Sequence, residues 1–490
     1  MEARKLFNSR PICIIAIGLA AGVLINTRFS GSLLFAALTA ALAVAAYAAK
    51  RRTAALLLLA LTVGFTRMEM TAPPTFAEGR YALCGTVCEA PECEGGEIVL
   101  LLENVSLSGT KLGGKAKLTL AGETLVVLPV PGQDVSAKAS VSALPENAYY
   151  ERRLGIMADC TARADEAVFG VPRETFMAIL CRMREGLRLR IDTLFPNSDG
   201  LARAMLLGDK RTLTKTASDA LYGAGVGHLI AVSGLHVGIL ALALSKLLPV
   251  RRAKLRFLLL TAFLASYALV TALSPSVLRA GLMLCCLEGA FLLDRRRDLL
   301  TSLAFAAAVI LFVSPASLLT ASFQLSFLAI CGFITVYEPM KKALAPLGEK
   351  GAKILSASAS ATLSTFPASA AFFGDVSPVA IVVNCVVLPL APCFLVPAAA
   401  AVALSYVYLP LAELFALPAR LALLILSESA RLFSAEALLC PAPGPAAFLL
   451  YLLALLAASP LVLRPAKERY TAALALLSLS LLCWLFRAIP

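Results

Sequence analysis

The fold class this sequence predicts is a polytopic α-helical membrane protein of about 13 membrane segments carrying one small external β-barrel, OB-like in its strand count. Three observations carry that reading. Of 490 residues, 59% are hydrophobic and only 15% charged, with a mean hydropathy of +0.82, against roughly 45–50% apolar and ~25% charged in a soluble domain. Apolar runs alternate with basic clusters along almost the whole chain, and one stretch, residues 80–166, breaks the pattern. A soluble enzyme is excluded. With two histidines in all, so is a self-contained catalytic zinc site built on three of them.

Taken in order, the chain opens with Arg4, Lys5 and Arg10 ahead of the apolar run 11–27. That resembles a signal peptide, but the run 32–49 follows almost at once, so a helical hairpin is expected rather than a cleaved leader. Further runs occupy 53–67, 229–248, 257–273, 277–293, 299–313, 323–337, 352–373, 379–405, 410–435, 445–463 and 471–487. Between them lie Lys50 to Arg52, Arg251 to Arg256, Arg295 to Arg297, Lys341 to Lys353 and Arg464 to Arg469. Basic residues in short loops are held on the cytoplasmic side, and a cytoplasmic N-terminus places all these clusters there. The expected location is therefore a multi-pass cytoplasmic membrane protein with residues 80–166 and the C-terminus outside. Several runs fall short of the ~20 residues that an untilted helix needs to cross the hydrocarbon core.

The domain reading is 1–68 for the N-terminal membrane helices, 80–166 for the external domain, 172–219 for amphipathic basic linker helices and 220–487 for the main membrane domain. Within 80–166, short β-type runs at 81–87, 97–105, 115–120, 124–128 and 135–141 are separated by turn segments, the pattern of a small five-stranded barrel. Cys84, Cys88, Cys93 and Cys160 fall in it, and an oxidising compartment would permit at least one disulfide among them. From Pro172 onward, apolar residues interleave with Arg182, Arg184, Arg188 and Arg190, the signature of a basic amphipathic helix at a membrane surface. Lipid headgroups and nucleic acid are both open as its partner.

The window 208–240 holds both histidines, His228 and His236, among glycines 223, 225, 227, 234 and 238. Gly234 and Gly238 have the small-xxx-small spacing of close helix contacts. A break before His228 is tolerated at membrane depth only where protein or water solvates the backbone. The window, with Asp209, Lys210 and Ser233, thus reads as a pore or gate. Competing readings are a metal site, which has no Asp, Glu or Cys between the histidines to complete it, a Ser233–His236 nucleophile and base, which has no acid beside it, and packed polar residues bridging helices. Helix 410–435 aligns Glu413, Arg420, Ser427, Glu428 and Arg431 on one face, so it either lines the bundle interior or lies flat at the interface.

GDKRTLT and HLIAVSGLHVG resemble the signature of the ComEC family of competence proteins, the inner-membrane channel for DNA uptake in natural transformation. SPSVLRAGLM at 274–283, DRRRD at 294–298, SFQLSFLAICG at 322–332, FFGDVSPVAIVVNCVVLPL at 372–390 and the tail CPAPGPAAFLLYLLALL agree. The resemblance implies a conduit for single-stranded DNA, with no catalytic role, metal or cofactor in this chain. Polar residues in the matching segments are Arg279, Gln324, Ser326, Asp375 and Asn384. Many members carry a metallo-β-lactamase-like domain, which is not expected here, and nuclease action is not carried over. Residues 80–166 hold eight basic and twelve acidic side chains, whereas a DNA-gripping barrel is normally basic. DNA contact is therefore expected at Arg182, Arg184, Arg188, Arg190, Arg211 and Lys215. Membrane lipid, a separate zinc-dependent nuclease, a DNA receptor and a cytoplasmic ATPase or helicase are the other partners implied, since the chain has no GxxxxGK[ST] phosphate loop. A transporter of a small solute or lipid precursor is the alternative.

Overall fold

The computed structural model describes residues 10–29, 32–71, 78–89, 91–94, 97–121, 129–145, 148–247, 253–377, 379–434, 438–439, 442–459 and 465–488. It divides into two compact units, one of Ile17–Leu189 with Ile310–Thr320, the other of Met1–Ala16, Arg190–Val309 and Ala321–Pro490.

In the first unit, helices α1 (Pro11–Asn26), α2 (Leu33–Ala48) and α3 (Arg52–Glu69) precede the strands. Gly18 and Gly22 of α1 lie directly against the backbone of Leu57 and Leu61 on α3, and Gly64 of α3 lies against the backbone of Leu19. A Cβ at any of the three would collide with main chain. This is a true small-xxx-small contact, and it is made by residues the sequence reading passed over. Asn26, buried between the two helices, donates to the Glu69 carboxylate at 2.7 Å and to the Phe65 carbonyl at 3.4 Å.

The barrel follows. Strands β1 (Gly79–Val87), β2 (Glu92–Glu94), β3 (Glu97–Leu107), β4 (Thr110–Lys111), β5 (Lys115–Ala121) and β6 (Asp134–Ala143) lead to the short helix α4 (Tyr149–Arg153), then β7 (Ile156–Arg163) and β8 (Val168–Phe169). The order β1-β3-β5-β7-β6 closes through a β1–β6 pairing, and β5–β7 is its parallel pair. Alternate residues of each strand point inward, so that Leu100, Leu102, Leu118, Leu120, Val141 and Cys160 fill the interior, as period-two patterning requires. The expected strands at 81–87, 97–105, 115–120 and 135–141 are present. The expected strand at 124–128 lies outside the described residues, and the strand that completes the barrel is Ile156–Arg163.

The disulfide expectation is corrected. Cys84, Cys88 and Cys160 are free thiols; the side chain of Cys93 lies outside the described residues. Register gives the reason: Cys84 points out of the barrel opposite Ser106 and Ser136, whereas Cys160 points in, opposite Leu118 and Val141. Cys88 is also buried. Desolvation pushes the Cys88 and Cys160 thiols up to about 12.

From Pro172 the chain leads into α5 (Phe176–Leu194), α6 (Leu201–Leu207) and α7 (Lys215–Gly223). Then come α8 (Gly234–Leu247), α9 (Ala253–Val270), α10 (Pro275–Leu292), α11 (Leu299–Val313), α12 (Ala321–Thr335), α13 (Tyr337–Ala343), α14 (Glu349–Phe373), β9 (Asp375–Val376), α15 (Ala380–Leu404), α16 (Leu409–Leu432), β10 (Leu438–Leu439), α17 (Pro445–Ala458) and α18 (Ala466–Ala488). Every apolar run read from the sequence coincides with a helix. Among the described residues, however, four helices are long and apolar enough to cross a membrane: α9, α10, α15 and α16. The pair α12 and α13, bent by 54°, makes a fifth if taken as one span. The remainder either have fewer than 18 residues or carry too much charge or too little apolar length. The expected 13 crossings thus stand as 13 helices of unequal length in a membrane protein. Helix α15 contains three prolines, Pro389, Pro392 and Pro397.

The burial of the thiols yields a direct expectation. In native protein isolated without reductant, a maleimide or iodoacetamide at pH 8 should modify Cys84 and leave Cys88 and Cys160 unreacted until the barrel is unfolded, as read by peptide mass spectrometry. A disulfide-linked peptide joining any two of them would contradict the register.

Candidate functional site

The second unit has a cyclic neighbourhood of helices: α8 packs on α10, α10 on α12, α12 on α14, α14 on α15, and α15 on α8. Each of the five is predominantly apolar, and each contributes a polar group to the packed region.

Arg279 on α10 is the charged member, 5% exposed. Its Nε donates to Ser326 Oγ on α12 at 2.7 Å, Nη1 approaches Met283 Sδ at 3.6 Å, and the guanidinium lies 5.9 Å from the centroid of the Phe327 ring. Phe327 is itself stacked on Phe323, with centroids 4.0 Å apart. Among the described residues no carboxylate pairs with Arg279, so hydroxyl, sulfur and π-face carry the cation's stabilisation. Gly234, the first residue of α8, leaves the space for Arg279 Nη2, which a Cβ there would strike. Arg279, Ser326 and Gly234, far apart in sequence, thus form one contact.

His236 is fully buried. Its Nδ1 accepts from the Ser233 backbone N–H at 3.0 Å, which fixes the other nitrogen as the N–H donor in the neutral ring. That Nε2 is buried without a partner among the described residues. The ring meets the Ser233 main chain and not its hydroxyl, so the nucleophile-and-base reading has no hydrogen bond to rest on. His228 is exposed, on a single 3₁₀ turn, Gly227–Leu229. Among the described residues no group of three His, Cys, Asp or Glu can hold a metal.

The glycines of the window do different work. Gly225 has φ +71 and packs against Ala380 at the start of α15, a junction where Ser377 Oγ also donates to the Gly223 carbonyl at 2.8 Å. Gly238 meets nothing within 4 Å, so the expected close helix contact at Gly234 and Gly238 is corrected to Gly234 alone. Upstream, the Asp209 carboxylate is buried and accepts from the Arg211 backbone at 3.2 Å and Nε at 3.0 Å. Lys210 is exposed beside it, and Thr214 caps α7 through Ala217 N–H at 3.3 Å.

Asn384 on α15 is 7% exposed with Oδ1 unpartnered. Gln324 is half-buried on α12, and the side chain of Asp375 lies outside the described residues. The sequence reading placed the helix α14 but named none of its serines, and Ser356, Ser358, Ser360 and Ser364 are all buried. Ser358 donates to the Ile381 carbonyl at 3.0 Å, and Gly332 of α12 lies against Ser360 and Ser364. The signal was available in serines at 356, 360 and 364, four residues apart and hence on one helix face. Unlike its neighbours, Ser356 Oγ has no partner among the described residues. An unsatisfied buried polar group costs about 1–3 kcal/mol.

The expected DNA-contact residues are mostly engaged within the protein. Arg182 pairs with Glu174, Arg188 with Glu185 at 2.9 Å and Arg211 with Asp209. Arg190 lies over the Tyr406 ring at 5.2 Å, and Arg184 is half-buried. Lys215 is exposed on the first turn of α7. On the polar face of α16, Glu413 and Glu428 are exposed while two arginines reach protein. Arg420 donates to the Leu194 carbonyl at 2.7 Å and Arg431 to Asp199 at 3.1 Å, across a cleft of about 440 Å³ that Phe195, Leu221 and Leu424 also line.

A family model described as "Competence protein" matches residues 205–465, which include Asp209 through Asn384 but neither the barrel nor Arg182 to Arg190. "ComE operon protein 3" of Bacillus subtilis (strain 168) is 32% identical over 209 residues, 42% of this chain and 26% of that protein. An "Uncharacterized protein" of Aquifex aeolicus (strain VF5) is 34% identical over 188 residues, 38% of this chain and 43% of that one. The matches thus span between a quarter and under half of these relatives. No solved structure matches the chain.

The glycine geometry makes a graded expectation for thermal unfolding in detergent. Gly225→Ala must adopt a left-handed backbone costing about 1–2 kcal/mol and also collides with Ala380. Gly234→Ala displaces the Arg279 guanidinium from Ser326, a loss of about 1–3 kcal/mol. Gly238→Ala should instead be neutral or stabilising by up to about 1 kcal/mol, through helix propensity. Equal destabilisation at 234 and 238 would restore the two-glycine contact.

Proposed function

The chain belongs to the competence protein family, and from that premise we propose that it is the inner-membrane channel through which single-stranded DNA enters the cell in natural transformation. The observation that carries the reading is the buried polar belt of the five-helix cycle. Intramembrane ionisable and polar groups are expensive in lipid and face the bundle interior or an aqueous path, and Arg279, an uncompensated cation among the described residues, gives such a path the sign that phosphates require. In this reading the Asp209-to-His236 window is the gate, its broken backbone tolerated because it lines a cavity, and Gln324, Ser326 and Asn384 line the conduit.

The finer organisation belongs to the same proposal. All 13 apolar helices are membrane segments, with the shorter ones accommodated by local bilayer thinning. The barrel, whose strand order suits an OB fold, lies outside with the C-terminus. The barrel's acidic balance leaves phosphate contact to Arg182, Arg184, Arg188, Arg190, Arg211 and Lys215. The ion pair Arg182–Glu174 is exposed to solvent, so a phosphate can displace that carboxylate at little cost. The chain conducts DNA without cutting it and works with a DNA receptor, a separate zinc-dependent nuclease and a cytoplasmic ATPase or helicase.

In a competent host, His236→Ala should abolish uptake of labelled single-stranded DNA while leaving expression and detergent-extracted stability nearly unchanged; normal import by that variant would refute the gate. Arg188→Ala with Arg190→Ala should lower uptake and flatten its salt dependence. For orientation, in a background free of native cysteines, Thr110→Cys should react with a membrane-impermeant maleimide and Arg296→Cys should not. The opposite pattern would invert the topology.

A further inference from the structure

The cleft of about 440 Å³ between α7, α16 and the turn 195–199 shares no residue with the buried polar belt. Its walls are apolar: Phe195 and Leu221 are buried, while Leu421 and Leu424 of α16 are 59% and 58% exposed. Its charged groups are few and unequal. Arg431 is neutralised twice, by Asp199 at 3.1 Å and by Glu428 at 2.8 Å. Arg420, which also lines the cleft, meets no carboxylate among the described residues. Its Nε donates at 2.7 Å to the carbonyl of Leu194, the last residue of α5, and its two Nη nitrogens make no hydrogen bond among the described residues. The bond to Leu194 holds the guanidinium in place and leaves free the forked end, the part that grips an oxyanion through two parallel hydrogen bonds. Asn197, Asp199 and Arg431 are exposed on the same cleft. Groups of that kind are held out of hydrocarbon, so the cleft opens at the level of lipid headgroups.

We propose that this cleft binds one anionic phospholipid, with its phosphate on the Arg420 guanidinium and one acyl chain along Leu221, Leu421 and Leu424. Apolar walls with a single oriented charge are the ordinary make-up of a site for an amphiphile, and each half of it excludes a simpler occupant. Inorganic phosphate or a nucleotide would satisfy Arg420 and leave the leucines uncovered. A neutral chain would cover the leucines and leave the guanidinium without a counter-charge, and in a zwitterionic lipid the ammonium group opposes it. An acidic headgroup on an acyl chain meets both demands, as in other basic pockets between membrane helices. The inference does not rest on the conduit reading.

The test is native mass spectrometry of the full-length chain released from nanodiscs made of phosphatidylcholine and phosphatidylglycerol in equal parts. The chain should retain one phosphatidylglycerol, preferred over phosphatidylcholine by at least about ten-fold. Arg420→Gln should lose that preference. Because this substitution also removes the bond to Leu194, a second variant leaves Arg420 intact: Ala220→Phe, on the α7 wall of the cleft, should expel the lipid by filling its place. Arg256→Gln, which breaks an ion pair with Glu288 away from the cleft, should retain it. Equal retention of the two lipids by the parent chain, or an unchanged preference in either cleft variant, overturns the proposal. So does displacement of the lipid by a single-stranded oligonucleotide, which would make the cleft a contact of the strand instead.

Discussion

Inside hydrocarbon there is no solvent to repair an unpaired polar group, so whatever a membrane helix buries it must satisfy on its neighbours. Arg279 is where that constraint bears hardest. It is a buried cation whose stabilisation is assembled from three helices: the hydroxyl of Ser326, the sulfur and ring of Met283 and Phe327, and the gap left by Gly234. None of these is strong alone. Together they fix how α8, α10 and α12 meet, and they account for a glycine at the first position of α8.

The first unit answers a different constraint. A barrel interior must be filled by side chains of alternating direction, and its cysteines are subject to that rule before any redox chemistry. Cys160 is inside because residue 158 and residue 162 are inside, and Cys84 is outside because Leu83 and Gly85 are turned in. Sharing a domain is therefore no guide to sharing a bond. In the helices of the same unit, Gly18, Gly22 and Gly64 bring two backbones into van der Waals contact, the close approach that small residues permit.

The positions of the helices were legible because a long apolar run has few alternatives to a helix in lipid. The barrel was legible as far as its strands alternate cleanly. Ile156–Arg163 escaped because MADCTAR places charge and small residues where a β-pattern expects branched ones. At the candidate site the residue types were visible and their company was not. Arg279 and Ser326 were both named as polar intrusions, but nothing in their spacing joins them. Gly234 and Gly238 have identical local signatures, and only the neighbouring helix decides that one is a contact and the other open space. Ser356 was overlooked because serine and alanine together read as featureless helix, and a missing hydrogen bond leaves no mark on a sequence.

Helix α15 touches α8, α14 and α16 and carries Pro389, Pro392 and Pro397 within its length. Each proline removes one main-chain donor and loosens the turn before it, so this stave is more compliant than the other four in the cycle. The adjoining α14 carries a further interior proline, Pro367, so the softer side of the cycle is the α14–α15 side. A cycle built this way is most deformable on that side and stiffest at the contacts around Arg279, which join α8, α10 and α12. The compliance of the cycle is thus a mechanical property written in the prolines of two adjoining helices.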